Sequence, residues 1–169
     1  MIIFYHGYNS SSNTNKFTEI KVKEKYCRSV NYDQSSYEEI YEQYCKDIEE
    51  HKPDMLVGHS LGGYWAIKMA NKYNLPVVLV NPSFFPDQSL PQLGYKNIEP
   101  SLIQNDIPKY FYLELGDEVL DLRKVLEYVK DYSYVETVLD GHHRVQYIEN
   151  YNNVIEFAIN TGMVDYIME

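Results

Sequence analysis

Residues 58–62 read Gly58-His59-Ser60-Leu61-Gly62 and directly follow the apolar run Met55-Leu56-Val57. No other feature constrains the fold of this chain as tightly. A G-x-S-x-G pattern at the end of an apolar run predicts a serine where a strand turns abruptly into a helix. Such a turn is strained and brings two backbones close together, so a Cβ at either flanking position would clash. The turn also holds the hydroxyl out above the sheet, where a base can reach it. Taken alone, a five-residue pattern arises by chance, as a Gly-rich turn around a solvated serine. Here the segment Tyr64-Trp65-Ala66-Ile67-Lys68-Met69-Ala70 continues as a helix, and the extra Gly63 eases its packing on the sheet. A nucleophilic Ser60 then requires an acid and a histidine further along the chain, in that order.

The rest of the chain alternates short apolar runs with amphipathic segments, which predicts an α/β fold with a mainly parallel sheet. Residues 2–5 form a first strand, followed by a polar loop at 9–15 and a weak helical segment near 15–25. Tyr26–Val30 reads as a second strand. Ser36-Tyr37-Glu38-Glu39 is a capping box, and Tyr37, Ile40, Tyr41, Tyr44 and Ile48 then form one apolar helical face that Pro53 ends. Asp54–Val57 leads into the serine turn. The all-apolar Pro76–Val80 reads as a central strand. Residues 82–108 hold five prolines without clear periodicity and read as a short cap-like insertion across the top of the sheet. Lys109–Leu115 is a strand, Leu122, Val125, Leu126 and Val129 mark a helix, and Tyr134–Leu139 is a last strand. Ile148, Tyr151, Ile155 and Ala158 mark a closing helix.

At 169 residues one domain, 1–169, is the natural expectation. No apolar run approaches the ~20 residues of a membrane span. The N-terminus lacks a basic n-region and a small-residue cleavage site, so the expected location is cytoplasmic. A net charge of −10 disfavours nucleic acid and anionic membrane surfaces as partners. Cys27, expected in a strand, and Cys45, expected in a helix, have no CxxC spacing and read as buried free thiols rather than a disulfide or a metal site. The 18 tyrosines accompany many Asn, Lys and Ile, which suggests an AT-rich coding sequence rather than a functional patch.

Serine needs a base to take its proton, and the base needs a carboxylate to fix its tautomer. In an open parallel sheet both are expected just past later strand ends. Leu113-Glu114-Leu115-Gly116-Asp117 supplies the acid as Asp117, whose alternative role is a turn or N-cap aspartate. Asp121 is expected to cap the following helix. Leu139-Asp140-Gly141-His142-His143 supplies the base after the last strand. Adjacent histidines seldom ligate one ion, and no His/Cys set has metal-site spacing, so no metal is expected. The oxyanion hole needs two backbone N–H groups: that of Leu61, and one from the loop after the first strand, where Tyr8 is preferred and Gly7 is next. His6 reads as a structural histidine of that loop.

With these residues in place, nearly the whole chain resembles the α/β-hydrolase superfamily, and more narrowly the small YqiA/YcfP-like esterases. The resemblance rests on Phe4-Tyr5-His6-Gly7-Tyr8-Asn9-Ser10-Ser11, Gly58-His59-Ser60-Leu61-Gly62-Gly63-Tyr64, Val80-Asn81-Pro82, Gly116-Asp117-Glu118-Val119-Leu120-Asp121 and Gly141-His142-His143. It implies an abbreviated three-layer α/β/α sandwich of about six strands, without an N-terminal hairpin or a lid domain. It also implies ester or thioester hydrolysis without a cofactor, on a small-molecule substrate, and it places the base at His143. His142 stands where such esterases have an acidic or polar neighbour. The substrate-binding residues are not legible, although Trp65, Phe84, Phe85 and Tyr95 could line an acyl pocket or belong to the core. The competing readings are a non-catalytic binding protein on the same scaffold, and an acyltransferase or perhydrolase using the same acyl-enzyme.

Overall fold

A computed structural model describes residues 1–131 and 134–168. Six strands form one sheet: β1 (Ile2–Tyr5), β2 (Lys25–Tyr26), β3 (Met55–His59), β4 (Val77–Val80), β5 (Lys109–Glu114) and β6 (Tyr134–Val138). Their order is β2-β1-β3-β4-β5-β6, and all five pairings are parallel. The helices are α1 (Asn15–Thr18), α2 (Tyr37–His51), α3 (Leu61–Tyr73), α4 (Pro86–Ser89), α5 (Leu122–Val129) and α6 (Ile148–Met168).

Strand residues alternate between the two faces of the sheet, as the period of two demands. Ile3, Tyr5, Leu56, Val77, Leu79, Phe111 and Leu113 pack against α2, α3 and α5. Ile2, Phe4, Met55, Val57, Val78, Val80, Tyr110 and Tyr112 face the other way, toward α6 and the α1 segment. The result is the expected three-layer sandwich. Burial on both faces explains why these strands read as continuous apolar runs.

The N-cap half of the expected box is in place: the Ser36 hydroxyl accepts from the Glu39 N–H at 3.1 Å. Lys52, in the left-handed region at φ 48°, closes α2 just before Pro53. Inside α2, Asp47 is buried and takes two bonds from Arg28, at 2.8 and 2.6 Å. The core also gathers many of the tyrosines: Tyr37, Tyr44, Tyr64 and Tyr95 surround Trp65, and Tyr5 packs on Tyr44.

Three boundaries differ from the sequence expectation. The second strand is only Lys25–Tyr26, so Cys27 lies just beyond it. The reason lies in contacts distant in sequence: the Val30 N–H goes to the His6 ring instead of a neighbouring strand, and Arg28 turns to Asp47. The helix expected near 15–25 stops at Thr18, and the Lys25 ammonium binds the carbonyls of Phe17, Thr18 and Ile20. Asp121 occupies the N-cap position of α5, but its side chain makes no capping bond.

The segment after β4 carries α4 and two short 3₁₀ turns. Phe84, Tyr95, Ile98 and Ile103 from it are buried in the same core as Trp65. Asn71 of α3 donates to the Leu102 carbonyl. Among the described residues no helix is long and apolar enough to cross a membrane. Both cysteines are free, and burial pushes the Cys27 thiol up to about 12.

Candidate active site

The sheet runs outward in opposite directions from the β1/β3 pair, since β2 lies beyond β1 and β4 beyond β3. A crevice is expected at such a switch point, at the carboxyl ends of the strands. Ser60 stands there, one residue past β3.

Its backbone has φ 58° and ψ −124°, a sparsely populated conformation for any residue with a Cβ. The surroundings hold it there. The Ser60 N–H donates to the Val80 carbonyl at 3.2 Å, and the Ser60 carbonyl accepts from the N–H groups of Gly63 and Ser83, both at 2.9 Å. The flanking glycines have the steric reason the motif predicts. A Cβ on Gly62 would fall inside the Tyr5 carbonyl, and one on Gly58 would lie 2.7 Å from the Gly62 carbonyl carbon.

The structure brings three of the expected side chains into one line. The Ser60 hydroxyl lies 2.9 Å from His143 Nε2. His143 Nδ1 lies 2.7 Å from Asp117 Oδ2. Because Nδ1–H donates to the carboxylate, Nε2 is the acceptor and the serine is the donor. The Asp117 side chain is buried, and that of His143 is 17% exposed. The other oxygen of Asp117 accepts the N–H groups of Val119 and Leu120, at 2.7 and 2.8 Å. His142 instead points outward at 65% exposure, 4.0 Å from Glu118. Of the two histidines it is the second whose ring reaches Ser60, and the carboxylate on its far side is that of Asp117 rather than Asp121.

The loop after β1 lies against the serine: a Cβ on Gly7 would stand 3.6 Å from the Ser60 hydroxyl. Tyr8 follows it, with its own hydroxyl held by the Asp33 carboxylate at 2.7 and 2.8 Å. Leu61 opens α3, so its N–H sits in the first turn, where no intrahelical acceptor exists. His6 is buried and structural. Its Nδ1 donates to the Gly7 carbonyl, its Nε2 accepts from Val30, and burial lowers its pKa.

A cleft of about 210 Å³ lies beside this line. Phe84, Phe85, Ser89, Leu120, Lys124 and Val125 are among the residues lining it. Ser60 does not line it, but the cleft walls touch the site directly through the Ser83–Ser60 and Leu120–Asp117 bonds. Of the four aromatic candidates, Phe84 and Phe85 border this cleft, Phe84 from within the core to which Trp65 and Tyr95 also belong.

Sequence reasoning missed three residues that hold the histidine loop. His59 Nε2 donates to the His143 carbonyl at 2.7 Å, and burial pushes its pKa down to about 3, so the ring is neutral. Asn81, at φ 41°, donates to the carbonyls of His142 and His143. Glu114, fully buried, accepts from the N–H groups of His142, Gln146 and Tyr147. Asn81 and His59 stand in the motifs named above, but their bonds join residues 61 and 84 positions apart and leave no local signal. Among the described residues no group of three or more His, Cys, Asp or Glu is arranged to hold a metal ion.

The sequence pattern of "Uncharacterised protein family (UPF0227)" matches residues 1–112. The chain belongs to the UPF0227 family. A UPF0227 protein of Shewanella sp. strain MR-4 is 25% identical over 158 residues, covering 80% of this chain and 86% of the relative. One from Pasteurella multocida strain Pm70 is 27% identical over 143 residues, covering 73% and 79%. Among solved structures, Est1E from Butyrivibrio proteoclasticus superposes with a TM-score of 0.75 at 13% identity, covering 99% of this chain and 88% of its own. MGS-MChE2, an α/β-hydrolase enzyme from a lagoon-sediment metagenome, gives 0.71 at 14% identity, covering 95% and 90%. The esterase domain of a Rhodothermus marinus protein gives 0.65 at 15% identity, covering 90% and 81%. The fold is that of the α/β-hydrolases, and these structural neighbours are hydrolases and esterases.

Proposed function

We propose that this UPF0227 protein is a serine hydrolase that cleaves carboxylic esters or thioesters through an acyl-enzyme on Ser60. The observation that carries this reading is the unbroken relay from the Ser60 hydroxyl through His143 to Asp117. In it, Ser60 attacks the acyl carbonyl and His143 Nε2 takes its proton. Asp117 keeps the tautomer with a free Nε2 and stabilises the imidazolium that forms. The N–H groups of Leu61 and Tyr8 receive the negative oxygen of the tetrahedral intermediate. Collapse expels the alcohol or thiol, which takes the proton from His143. Water then enters, gives a proton to His143 and attacks the acyl carbonyl; the acyl–Oγ bond breaks, His143 returns the proton to Ser60 and the acid departs. No step calls on a metal or a cofactor. The cleft beside Ser83 and Leu120 is the natural seat for the acyl or leaving group.

A fluorophosphonate probe tests the reading, followed by a panel of acyl esters and thioesters of graded size. The expected result is labelling of the native protein at Ser60 alone, none of Ser60→Ala, and turnover that survives EDTA. Absent labelling of the native protein, or labelling that persists in Ser60→Ala, would overturn it in favour of a binding protein on a hydrolase scaffold.

A further inference from the structure

The loop that carries His143 has no regular structure of its own. Gly141 sits at φ 92° and Val145 at φ 68°, and the second is a strained conformation for a β-branched residue. The loop is held from outside. On one side lies Glu114, the last residue of β5 and fully buried. Its Oε1 accepts from His142 and Gln146, at 2.9 and 2.7 Å, and its Oε2 accepts from Tyr147 at 3.0 Å and the Tyr112 hydroxyl at 2.8 Å. A carboxylate, acceptor at both oxygens, matches four donors as no other side chain of this size does. Gly141 lets the loop approach: a Cβ there would lie 2.6 Å from that of Glu114. On the other side His59, the last residue of β3, donates to the His143 carbonyl at 2.7 Å. Asn81 links the two sides, because its amide donates to the loop while its oxygen accepts the Glu114 N–H at 2.8 Å.

We infer that Glu114 and His59 are positioning residues for His143, fixing the imidazole between Ser60 and Asp117 by gripping its loop from opposite sides. The inference rests on the proposed acyl-enzyme reading only for its effect on turnover. The grip itself is a claim about where the imidazole is held. The Ser60–His143 and His143–Asp117 distances are 2.9 and 2.7 Å, and displacement by about 1 Å can cost on the order of 10²-fold in rate.

The test compares native protein with Glu114→Gln, Glu114→Asp, His59→Leu and His59→Gln. Glu114→Gln turns one acceptor oxygen into a donor that faces N–H and O–H donors. Glu114→Asp keeps the carboxylate but sets it one methylene short. His59→Leu removes the donor to the His143 carbonyl, and His59→Gln can restore it. Melting curves establish which variants fold. Two readouts follow on those that do: kcat and KM on a p-nitrophenyl ester, and the deshielded proton-NMR signal of the His143 Nδ1–H bound to Asp117. The expected result is a kcat lower by roughly 10–10²-fold with KM little changed, a weakened or lost deshielded signal in Glu114→Gln and His59→Leu, and recovery of both in His59→Gln. Folded Glu114→Gln or His59→Leu with native kcat and a native signal would overturn the inference and leave both groups as stability elements. Should Glu114→Gln not fold, Glu114→Asp takes its place, and if neither folds the His59 pair decides. If the native protein shows neither turnover nor Ser60 labelling, the proposed function fails by itself, and the deshielded signal still decides the positioning claim.

Discussion

Replacing Asp117 by Asn separates the tautomer role of this side chain from its role in holding the loop. The carboxylate makes three bonds: Oδ2 to His143 Nδ1 at 2.7 Å, and Oδ1 to the N–H groups of Val119 and Leu120 at 2.7 and 2.8 Å. Asparagine keeps one acceptor oxygen. If that oxygen faces His143, the amide NH₂ meets two backbone donors, and each N–H left unsatisfied costs about 1–3 kcal/mol. If it faces the backbone, both N–H bonds survive and NH₂ faces His143 instead. The second arrangement is favoured by that difference. The imidazole must then accept at Nδ1, so its proton moves to Nε2 and Ser60 loses its base. The fold is retained, while kcat falls by about 10⁴-fold, which is roughly 5.4 kcal/mol of barrier, as for the corresponding substitution in the serine protease triad. Asp121→Asn is the control, since Asp121 makes no capping bond and kcat and melting temperature should both stay near native values. Steady-state hydrolysis of a p-nitrophenyl ester and a melting curve for each variant decide the matter. Native-like kcat in Asp117→Asn, or turnover abolished by Asp121→Asn, would refute the reasoning.

Ser60→Gly should be inactive yet more stable, because it releases about 1 kcal/mol or more of backbone strain at φ 58°; the melting temperature should rise by roughly 2–4 °C, and a fall would show that the turn is not strained. His143→Ala should lower kcat by several orders of magnitude and His142→Ala by far less, since only His143 reaches Ser60; reversed effects would place the base one residue earlier. Ser89→Phe should fill the cleft, so kcat/KM for bulky acyl esters should fall relative to an acetate ester; an unchanged ratio across the series would put the substrate elsewhere. Burial holds the His59 pKa at about 3 against an ordinary value of 6.5, so between these values the unfolded chain binds more protons than the folded one. Stability from this group is therefore full above pH 6.5 and is lost as pH falls toward about 3. Melting temperature against pH should be flatter for His59→Gln over that window, and identical slopes would refute the assignment.

The legible parts of this molecule are those with a local cause. A two-residue period that buries both faces shows in Val77–Val80 as an unbroken apolar run, so β4 is readable without neighbours. Ser36 and Glu39 declare the start of α2 three residues apart. Ser60 is readable because the glycines that its turn needs lie two residues to either side. The second strand is shorter than its pattern because a histidine ring 24 residues away takes the Val30 N–H, and no pattern within 26–30 encodes that bond. Asp121 fits a cap by position and residue type yet makes no capping bond, whereas the bonds of Asp117 to Val119 and Leu120 draw the preceding loop together.

The same division runs through the candidate site. Ser60, Asp117 and His143 each follow a strand end, and strand ends are visible in sequence, so the reacting line could be proposed one residue at a time. The groups that hold the line cannot be found that way. Glu114 reads as one acidic residue within an apolar strand, and only the parallel pairing of β5 with β6 brings the loop after β6 over it. Once there, three N–H groups from residues 142, 146 and 147 converge on its two oxygens. A buried acid at the end of an internal strand, whose one basic residue, Lys109, stands at the other end, needs donors from elsewhere. The loop after the next strand, with its own backbone groups unpaired, is the nearest supply. Such an acid, one or two residues before a Gly-Asp at a strand end, is therefore a place to look for the anchor of a histidine loop.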